Sequence, residues 1–215
     1  MRFPTRRVAA WILALALGAA PGHAAAEPAA REAPSETWFA RGSKQLSLSL
    51  GYGLGFRTGS AEARKRSQEL GDVSLVEVIP RFGIGVSDPL GGEAWYRGNL
   101  EALFEGALVF NTNPRFGYAL GGGSTLRYNF LSWDRFVPFL DANFGVVYLD
   151  FDLEGQSDGF NFNVGFGAGF HQFVSKRMAL TPAVRYQHFS NAGLNEPNRG
   201  INDVLFLVGV SYFWH

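Results

Sequence analysis

From residue 45 onward, the chain consists mainly of segments in which apolar and polar residues alternate with a period of two. In the first, Leu46, Leu48 and Leu50 alternate with serine and glycine. This period is typical of a β-strand with one apolar face and has no helical counterpart. Seven further segments follow, near residues 76–85, 96–108, 118–129, 136–148, 160–171, 178–187 and 204–214. In all eight segments the apolar face falls on even-numbered residues.

The odd-numbered face of these strands is small or polar and carries most of the charge. Its charged members are Glu77, Arg81, Arg97, Glu101, Glu105, Arg127, Asp141 and Arg185. A soluble sandwich or lipocalin-like barrel would bury its bulky side chains and expose its charges. The inverse arrangement is typical of a barrel that faces lipid. The pattern therefore predicts an all-β fold, an eight-stranded antiparallel transmembrane β-barrel of the outer-membrane type over residues 45–215.

The predicted connections alternate in length, as the loops and turns of outer-membrane barrels do. The short ones are residues 87–93, 131–135 and 175–177, and the longer, polar ones are residues 57–72, 150–159 and 191–202. Side chains just fill the interior of so small a barrel. We therefore expect the inward charges to pair with one another, which argues against a solute pore.

The N-terminus predicts export. Three arginines in the first seven residues precede an apolar run at residues 8–19 and an alanine run that ends at Ala26. This is the pattern of a signal peptide, residues 1–26, with cleavage after Ala24 or Ala26. Residues 27–44 are rich in proline and alternating charge, and we predict a periplasmic leader there.

Composition narrows the range of functions further. The formal net charge is zero, so no nucleic-acid partner is expected. The chain has no cysteine, which excludes a disulfide framework and leaves burial or a closed sheet as the source of stability. A monomer and a homodimer are both compatible with the pattern.

The candidate chemistry lies where the seventh strand ends. His188 and Ser190 stand two positions apart, which places both side chains on one face of a strand, with Cα atoms about 7 Å apart. If the chain starts in the periplasm, this end lies outside, and even numbering places both residues on the lipid-facing wall at the outer leaflet. Asn202 has the same parity. A histidine that accepts the proton of a serine and is oriented by a third group suits acyl transfer. The alternative is a non-catalytic adhesion or structural barrel with an incidental polar strand end.

A longer motif surrounds the pair. His188-Phe189-Ser190-Asn191-Ala192-Gly193, followed by Pro197-Asn198-Arg199-Gly200-Ile201-Asn202, resembles the active-site segment of the PagL family, the lipid A 3-O-deacylases of Gram-negative outer membranes. The resemblance implies a carboxylic ester hydrolase that removes the 3-O-linked acyl chain of lipid A in lipopolysaccharide, without a cofactor. Ser190 is then the nucleophile and His188 the base. Asn198 helps to hold the oxyanion, supported by Asn191 and by backbone N–H groups near Gly193.

One position departs from the family pattern. Members with a Ser-His-Glu triad carry glutamate where this chain has Asn202. A neutral amide can accept the imidazole N–H and fix its tautomer, although it cannot stabilise the imidazolium charge. Asn202, the loop residue Glu196 and the adjacent Asp203 are therefore three alternatives for the group that orients His188.

Other polar residues have simpler interpretations. His171 belongs to the inward set, and we expect it to be an interior hydrogen-bonding residue. The acidic run of Asp150, Asp152, Glu154 and Asp158 suits either a calcium site or a solvated loop. The basic run at residues 64–66 suits either contact with lipid A phosphates or solvation. No metal site is predicted for catalysis.

Overall fold

The computed structural model describes residues 36–58 and 68–215, which contain eight β-strands and two short helical turns. The predicted signal peptide, the first half of the predicted leader (residues 27–35) and the basic run at residues 64–66 lie outside the described residues. The strands are β1 (Lys44–Phe56), β2 (Ser74–Gly85), β3 (Gly98–Asn113), β4 (Gly117–Phe130), β5 (Phe136–Asp150), β6 (Gly159–Phe173), β7 (Met178–Ser190) and β8 (Ile201–Trp214). A 3-10 turn covers Glu36–Phe39, and a single helical turn, α1, covers Gln68–Gly71.

The strands form a closed antiparallel barrel. Each pairs with its neighbours in sequence, and β1 pairs with β8, with Leu48 opposite Val210 at the seam. Closure leaves no strand edge unpaired, which a sheet in lipid requires. The predicted fold class is confirmed. No helix within the described residues is long and apolar enough to cross a membrane.

The predicted facing of the side chains is also confirmed. Even-numbered apolar residues form the outer wall, where Leu48 is 58% exposed and Phe166 67% exposed, while odd-numbered residues such as Leu103 and Arg127 are buried inside. This parity holds in every strand, because the one register shift, between Ser74 and Leu75, lies at the start of β2.

One connection differs from its predicted length. Residues 86–97 join β2 to β3, a longer connection than predicted, because Ala94 N–H donates to Gly91 O and Arg97 N–H to Ala94 O in consecutive turns. Arg97 therefore lies in this connection and not on the inward face of a strand. The β3–β4 connection, residues 114–116, is the short one at the opposite end.

Ion pairs fill the middle of the barrel. Arg81 Nε donates to Glu105 at 2.6 Å, Arg185 donates to Glu105 at 2.8 Å, and Arg127 donates to Asp141 at 3.0 Å. Buried charges need such partners, because leaving one unpaired in a low-dielectric interior is costly. The expected pairing is observed for Arg81, Glu105, Arg127, Asp141 and Arg185, whereas Glu77 and Glu101 accept hydrogen bonds from Gln187 and Asn129.

Apolar clusters close the interior on both sides of the ion pairs. One, the loop-end core, lies at the end that carries the connections after β1, β3, β5 and β7, and comprises Leu70, Val73, Leu75, Val109, Ala119, Val147, Leu149, Phe151, Leu153, Phe189 and Ile201. The other, the N-terminal plug, comprises Phe39, Val137, Phe173, Ala179 and Phe213. Because ion pairs and both clusters occupy the lumen, the structure agrees with the argument against a solute pore.

The end of the predicted leader is part of the folded barrel. Phe39 is only 3% exposed, and Trp38 Nε1–H donates to Lys176 O at 2.7 Å. An aromatic ring buries a large apolar area, which compensates the ordering of the short 3-10 turn. The adjacent Trp38 and Phe39 in an otherwise polar leader were the available sequence signal for this plug.

Candidate active site

The predicted site residues meet where β7 ends and β8 begins. His188 lies directly opposite Asn202 in the β7–β8 pair, and Asn202 also lies opposite Phe56 at the end of β1. The inward neighbours Phe189 and Ile201 are 1% and 0% exposed in the loop-end core. Their packing anchors both strand ends, so the outward side chains stand on a rigid support.

His188 and Asn202 are joined by a hydrogen bond. His188 Nδ1–H donates to Asn202 Oδ1 at 2.9 Å. Because an amide oxygen can only accept, this contact selects the tautomer of the neutral imidazole that carries its proton on Nδ1 and its free lone pair on Nε2. The arrangement therefore presents a nitrogen base on the outer wall of the barrel.

Asn202 is held by two further groups. It is 7% exposed, and its Oδ1 also accepts from Tyr186 Oη–H at 2.7 Å, while its Nδ2 donates to Thr58 Oγ1 at 3.5 Å. The Tyr186 ring packs on Phe56 with 6.0 Å between ring centroids. Sequence reasoning assigned Tyr186 only to the apolar face. Its position two residues before His188 was the signal for this role.

The two acidic alternatives lie elsewhere. Asp203 is 0% exposed and faces the interior of the barrel, opposite Gln187 and Gly55. Glu196 is exposed in the β7–β8 connection. Of the three predicted orienting groups, the structure therefore brings Asn202 to His188.

Ser190 is half-buried at the last position of β7, on the same outer face as His188. Within residues 36–58 and 68–215 its hydroxyl has no hydrogen-bond partner, and no hydrogen bond joins it to the His188 ring. Catalytic hydrogen bonds commonly tighten only when substrate is bound. The structure therefore places Ser190 two residues after His188 on the same face of β7, with no hydrogen bond between the two side chains in the described part of the chain.

The His188 ring packs against a glycine that is also needed for the turn. Gly200 has φ +73°, and a Cβ atom there would lie 2.5 Å from His188 Cε1 and 3.2 Å from Nε2. An L side chain would thus be strained at this φ and would collide with the ring. The absence of a side chain at residue 200 lets the imidazole keep its position.

Asn191 organises the β7–β8 connection, residues 191–200. It is 0% exposed; its Nδ2 donates to Ser157 Oγ at 2.7 Å and to Asn195 O at 2.8 Å, and its Oδ1 accepts from Gly193 N–H at 2.9 Å. Gly193 adopts φ +82°. The Gly193 N–H, which the sequence suggests as an oxyanion donor, therefore has an internal partner in this structure, and both residues support the shape of the loop.

Asn198 is the predicted oxyanion residue with a free donor. Its Oδ1 accepts from Asn191 N–H at 3.0 Å and from Gln156 Nε2 at 3.3 Å. Its Nδ2 has no hydrogen-bond partner in the described part of the chain. The oxygen of the Asn198 amide is therefore satisfied, and its amino group is available to donate a hydrogen bond.

The β5–β6 connection, residues 151–158, forms one wall of the site. Ser157 N–H donates to Pro197 O at 2.7 Å, and Arg199 N–H donates to Gly155 O at 2.9 Å. Gly200 N–H donates to Gln156 Oε1 at 2.8 Å. Sequence reasoning missed this contribution, since nothing in the local pattern of residues 151–158 indicates contact with a loop some 40 residues later.

The remaining candidates have structural roles. His171 is 0% exposed, with Nδ1 2.9 Å from Thr181 Oγ1, which confirms the interior role. In the acidic run, Asp158 accepts from Phe151 N–H at 2.8 Å, and Asp152 pairs with Arg115 at 3.1 Å. No group of three or more His, Asp or Glu side chains suited to a metal ion occurs among the residues that the structure describes.

A family model and several solved structures match this chain. The family model described as lipid A 3-O-deacylase (PagL) matches residues 80–211. The crystal structure of the outer membrane enzyme PagL is 18% identical, covers 77% of this chain and 97% of its own, and has a TM-score of 0.54, which supports the fold. No curated protein matches the chain.

Two other solved structures align with the chain at lower TM-scores. The N-terminal β-barrel domain of Pseudomonas aeruginosa OprF is 11% identical, covers 81% of this chain and 98% of its own, and has a TM-score of 0.48. Neisserial surface protein A is 17% identical, covers 79% of this chain and 95% of its own, and has a TM-score of 0.47. The PagL match, by contrast, spans more than half of the sequence and the whole site segment, residues 186–202. The chain therefore belongs to the PagL family of lipid A 3-O-deacylases and is an outer-membrane β-barrel.

Proposed function

We propose that this protein is an esterase that hydrolyses the 3-O-linked acyl chain of lipid A by a Ser-His mechanism on the lipid-facing wall of the barrel. The observation that carries the proposal is the hydrogen bond from His188 Nδ1–H to Asn202 Oδ1, which in the neutral imidazole makes Nε2 the basic nitrogen, on the strand face that also holds Ser190. Family membership supports the substrate. The lipid A substrate lies in the outer leaflet of the outer membrane, and no cofactor is needed. A homodimer stays a prediction.

The chemistry has two halves. Ser190 Oγ attacks the ester carbonyl carbon at the 3-position while its proton passes to His188 Nε2. The resulting oxyanion accepts a hydrogen bond from Asn198 Nδ2. When the bond from the carbonyl carbon to the sugar oxygen breaks, His188 protonates that oxygen. Water, activated by His188, then attacks the acyl-serine and releases the fatty acid.

The surroundings of the pair suit a substrate that arrives laterally from the membrane. Val164 lies opposite His188, Phe162 lies opposite Ser190, and the nearby Phe166 is 67% exposed on the same wall. Apolar side chains at this height favour acyl chains over water. The charged, filled lumen, in contrast, offers no route through the barrel.

Expression of the full chain in Gram-negative cells tests the proposal. We expect the cells to contain lipid A that lacks one acyl chain, together with the free fatty acid, and tandem mass spectrometry to assign the loss to position 3. Cells with an empty vector are the control. Heat-modifiable gel mobility reports whether the barrel has folded. Unchanged lipid A from a folded barrel would support the alternative, a non-catalytic outer-membrane barrel.

A negative charge at position 202 should increase the rate of deacylation. Asn202 orients the imidazole but cannot stabilise imidazolium, so we expect Asn202→Glu to raise kcat/KM by about tenfold, well within the contribution of a triad carboxylate. Asn202→Gln is the matched control, since it has the length of glutamate without the charge. If the Asn202→Glu variant deacylates lipid A no faster than the Asn202→Gln variant, residue 202 does not orient His188. The rate of fatty acid release by the purified protein is the measurement.

A further inference from the structure

We propose that Gln156 is a positioning residue for the oxyanion donor: it fixes the amide of Asn198 so that Nδ2, and not Oδ1, faces the reacting ester. This inference rests on the proposed function and extends the site to the β5–β6 connection. Gln156 is 3% exposed, and both ends of its amide are engaged.

The backbone sets the direction of the Gln156 amide. Gly200 N–H donates to Gln156 Oε1 at 2.8 Å, and a backbone N–H can only donate. The atom that faces it must therefore be the oxygen. Nε2 then points to the other side, where it donates to Asn161 Oδ1 at 2.7 Å and to Asn198 Oδ1 at 3.3 Å.

The orientation of the Asn198 amide is fixed in the same way. Its Oδ1 receives two donors, Gln156 Nε2 at 3.3 Å and Asn191 N–H at 3.0 Å. If the Asn198 amide were flipped, its amino group would face two other N–H donors. The flip is therefore unfavourable, because buried polar groups left without a partner are costly.

The direction of this amide matters for catalysis. An oxyanion is stabilised by a preorganised N–H donor, whereas a carbonyl oxygen in the same place would repel it. The result is a chain of hydrogen bonds whose directions are fixed, here called the relay. It runs from Gly200 N–H through Gln156 to Asn198 and ends in a free N–H group. Among the described residues Gln156 makes no hydrogen bond to Ser190 or His188, so we assign its effect on catalysis to Asn198.

Gln156→Glu tests the relay. The carboxylate still accepts from Gly200 N–H, but it presents an oxygen to Asn198 Oδ1 in place of the donor. We expect kcat for deacylation of lipid A by the full chain in detergent micelles to fall about 10²-fold, the cost of a disturbed oxyanion donor, with KM changed less than about threefold. In an Asn198→Ala background the same change should lower kcat by less than about threefold, because residues that act through one another are not additive.

Two controls separate positioning from general damage. Gln68→Glu makes the same chemical change at an exposed glutamine of α1, so we expect activity within about threefold of wild type. Gln156→Met keeps the side-chain length without any donor or acceptor and serves if the glutamate variant does not fold. It should lower kcat by a smaller factor than Gln156→Glu, and should likewise have little effect when Asn198 is replaced by alanine.

The outcomes are distinguishable from those of the proposed function. The positioning role alone is overturned if the wild type is active and Gln156→Glu keeps full kcat. It is also overturned if Gln156→Glu lowers kcat equally in the wild-type and Asn198→Ala backgrounds. A folded wild type without deacylase activity overturns both proposals. The relay is supported if Gln156→Glu lowers kcat when Asn198 is present but not in the Asn198→Ala background, with KM preserved.

Discussion

Replacing Ser190 with alanine is expected to lower kcat/KM for lipid A deacylation by about 10³-fold or more while the barrel still folds. The serine supplies the attacking oxygen, and loss of a nucleophile leaves only binding and oxyanion stabilisation. The Ser190 hydroxyl makes no hydrogen bond in the described part of the chain, so its removal leaves no buried partner unsatisfied. Release of fatty acid by the purified protein and lipid A mass spectrometry are the measurements.

Matched variants make this result specific. Ser124 is an exposed serine at an even position of β4, on the same outer wall, and Ser124→Ala should keep activity within about twofold because surface substitutions seldom matter. His188→Asn should be about as slow as Ser190→Ala, and the double variant no slower than either, since the two residues act as a unit. Equal deacylation by wild type and Ser190→Ala, both folded, would contradict the serine mechanism.

Gly200→Ala is expected to lower the rate by about 10²-fold, because small displacements of catalytic groups have effects of this size. A Cβ atom at this position would lie 2.5 Å from His188 Cε1, so either the ring or the loop must move. The same loop segment carries Gly200 N–H to Gln156 Oε1, and its displacement would disturb Asn198 as well. The activity of the folded variant in detergent micelles is the measurement.

The control for this variant is another glycine with a left-handed backbone. Gly159 has φ +92°, and a Cβ atom there would meet no atom within 4 Å. Gly159→Ala should therefore lower the free energy of unfolding only through backbone strain, by about 1 kcal/mol or more, and should keep its deacylase activity. Gly200→Ala should unfold at a lower denaturant concentration than Gly159→Ala, because it adds the collision with His188 to the backbone cost. Equal activity of the two variants would show that contact with His188 is unimportant.

Much of the architecture was predictable because strand side chains alternate with a period of two. Once Leu46, Leu48 and Leu50 are assigned to the outer wall, the same parity places Arg127 inside and His188 outside. Closure of the barrel then pairs adjacent strands and brings His188 opposite Asn202. These predictions depend only on the local sequence pattern and the order of the strands, and the structure agrees with them.

Features that depend on loop conformation were not predictable in the same way. The burial of Phe39 in the N-terminal plug and the turns at residues 91–97 follow from contacts across the barrel end and from local hydrogen bonds. The partner of Gly193 N–H depends on the side-chain rotamer of Asn191. Period-two alternation says nothing about these segments, because it ends where the strands end.

The spacing of residues along an extended chain was sufficient to predict the eight strands, their inward and outward faces, and the shared face of His188, Ser190 and Asn202. The packed structure was needed to show that Asn202, and neither Asp203 nor Glu196, accepts from His188, and that Tyr186 and Thr58 hold Asn202 in place. It also decided that Gln156 reaches Asn198 from a different loop. Such contacts join residues far apart in the chain, and hydrogen-bond direction is set only when the loops are packed together.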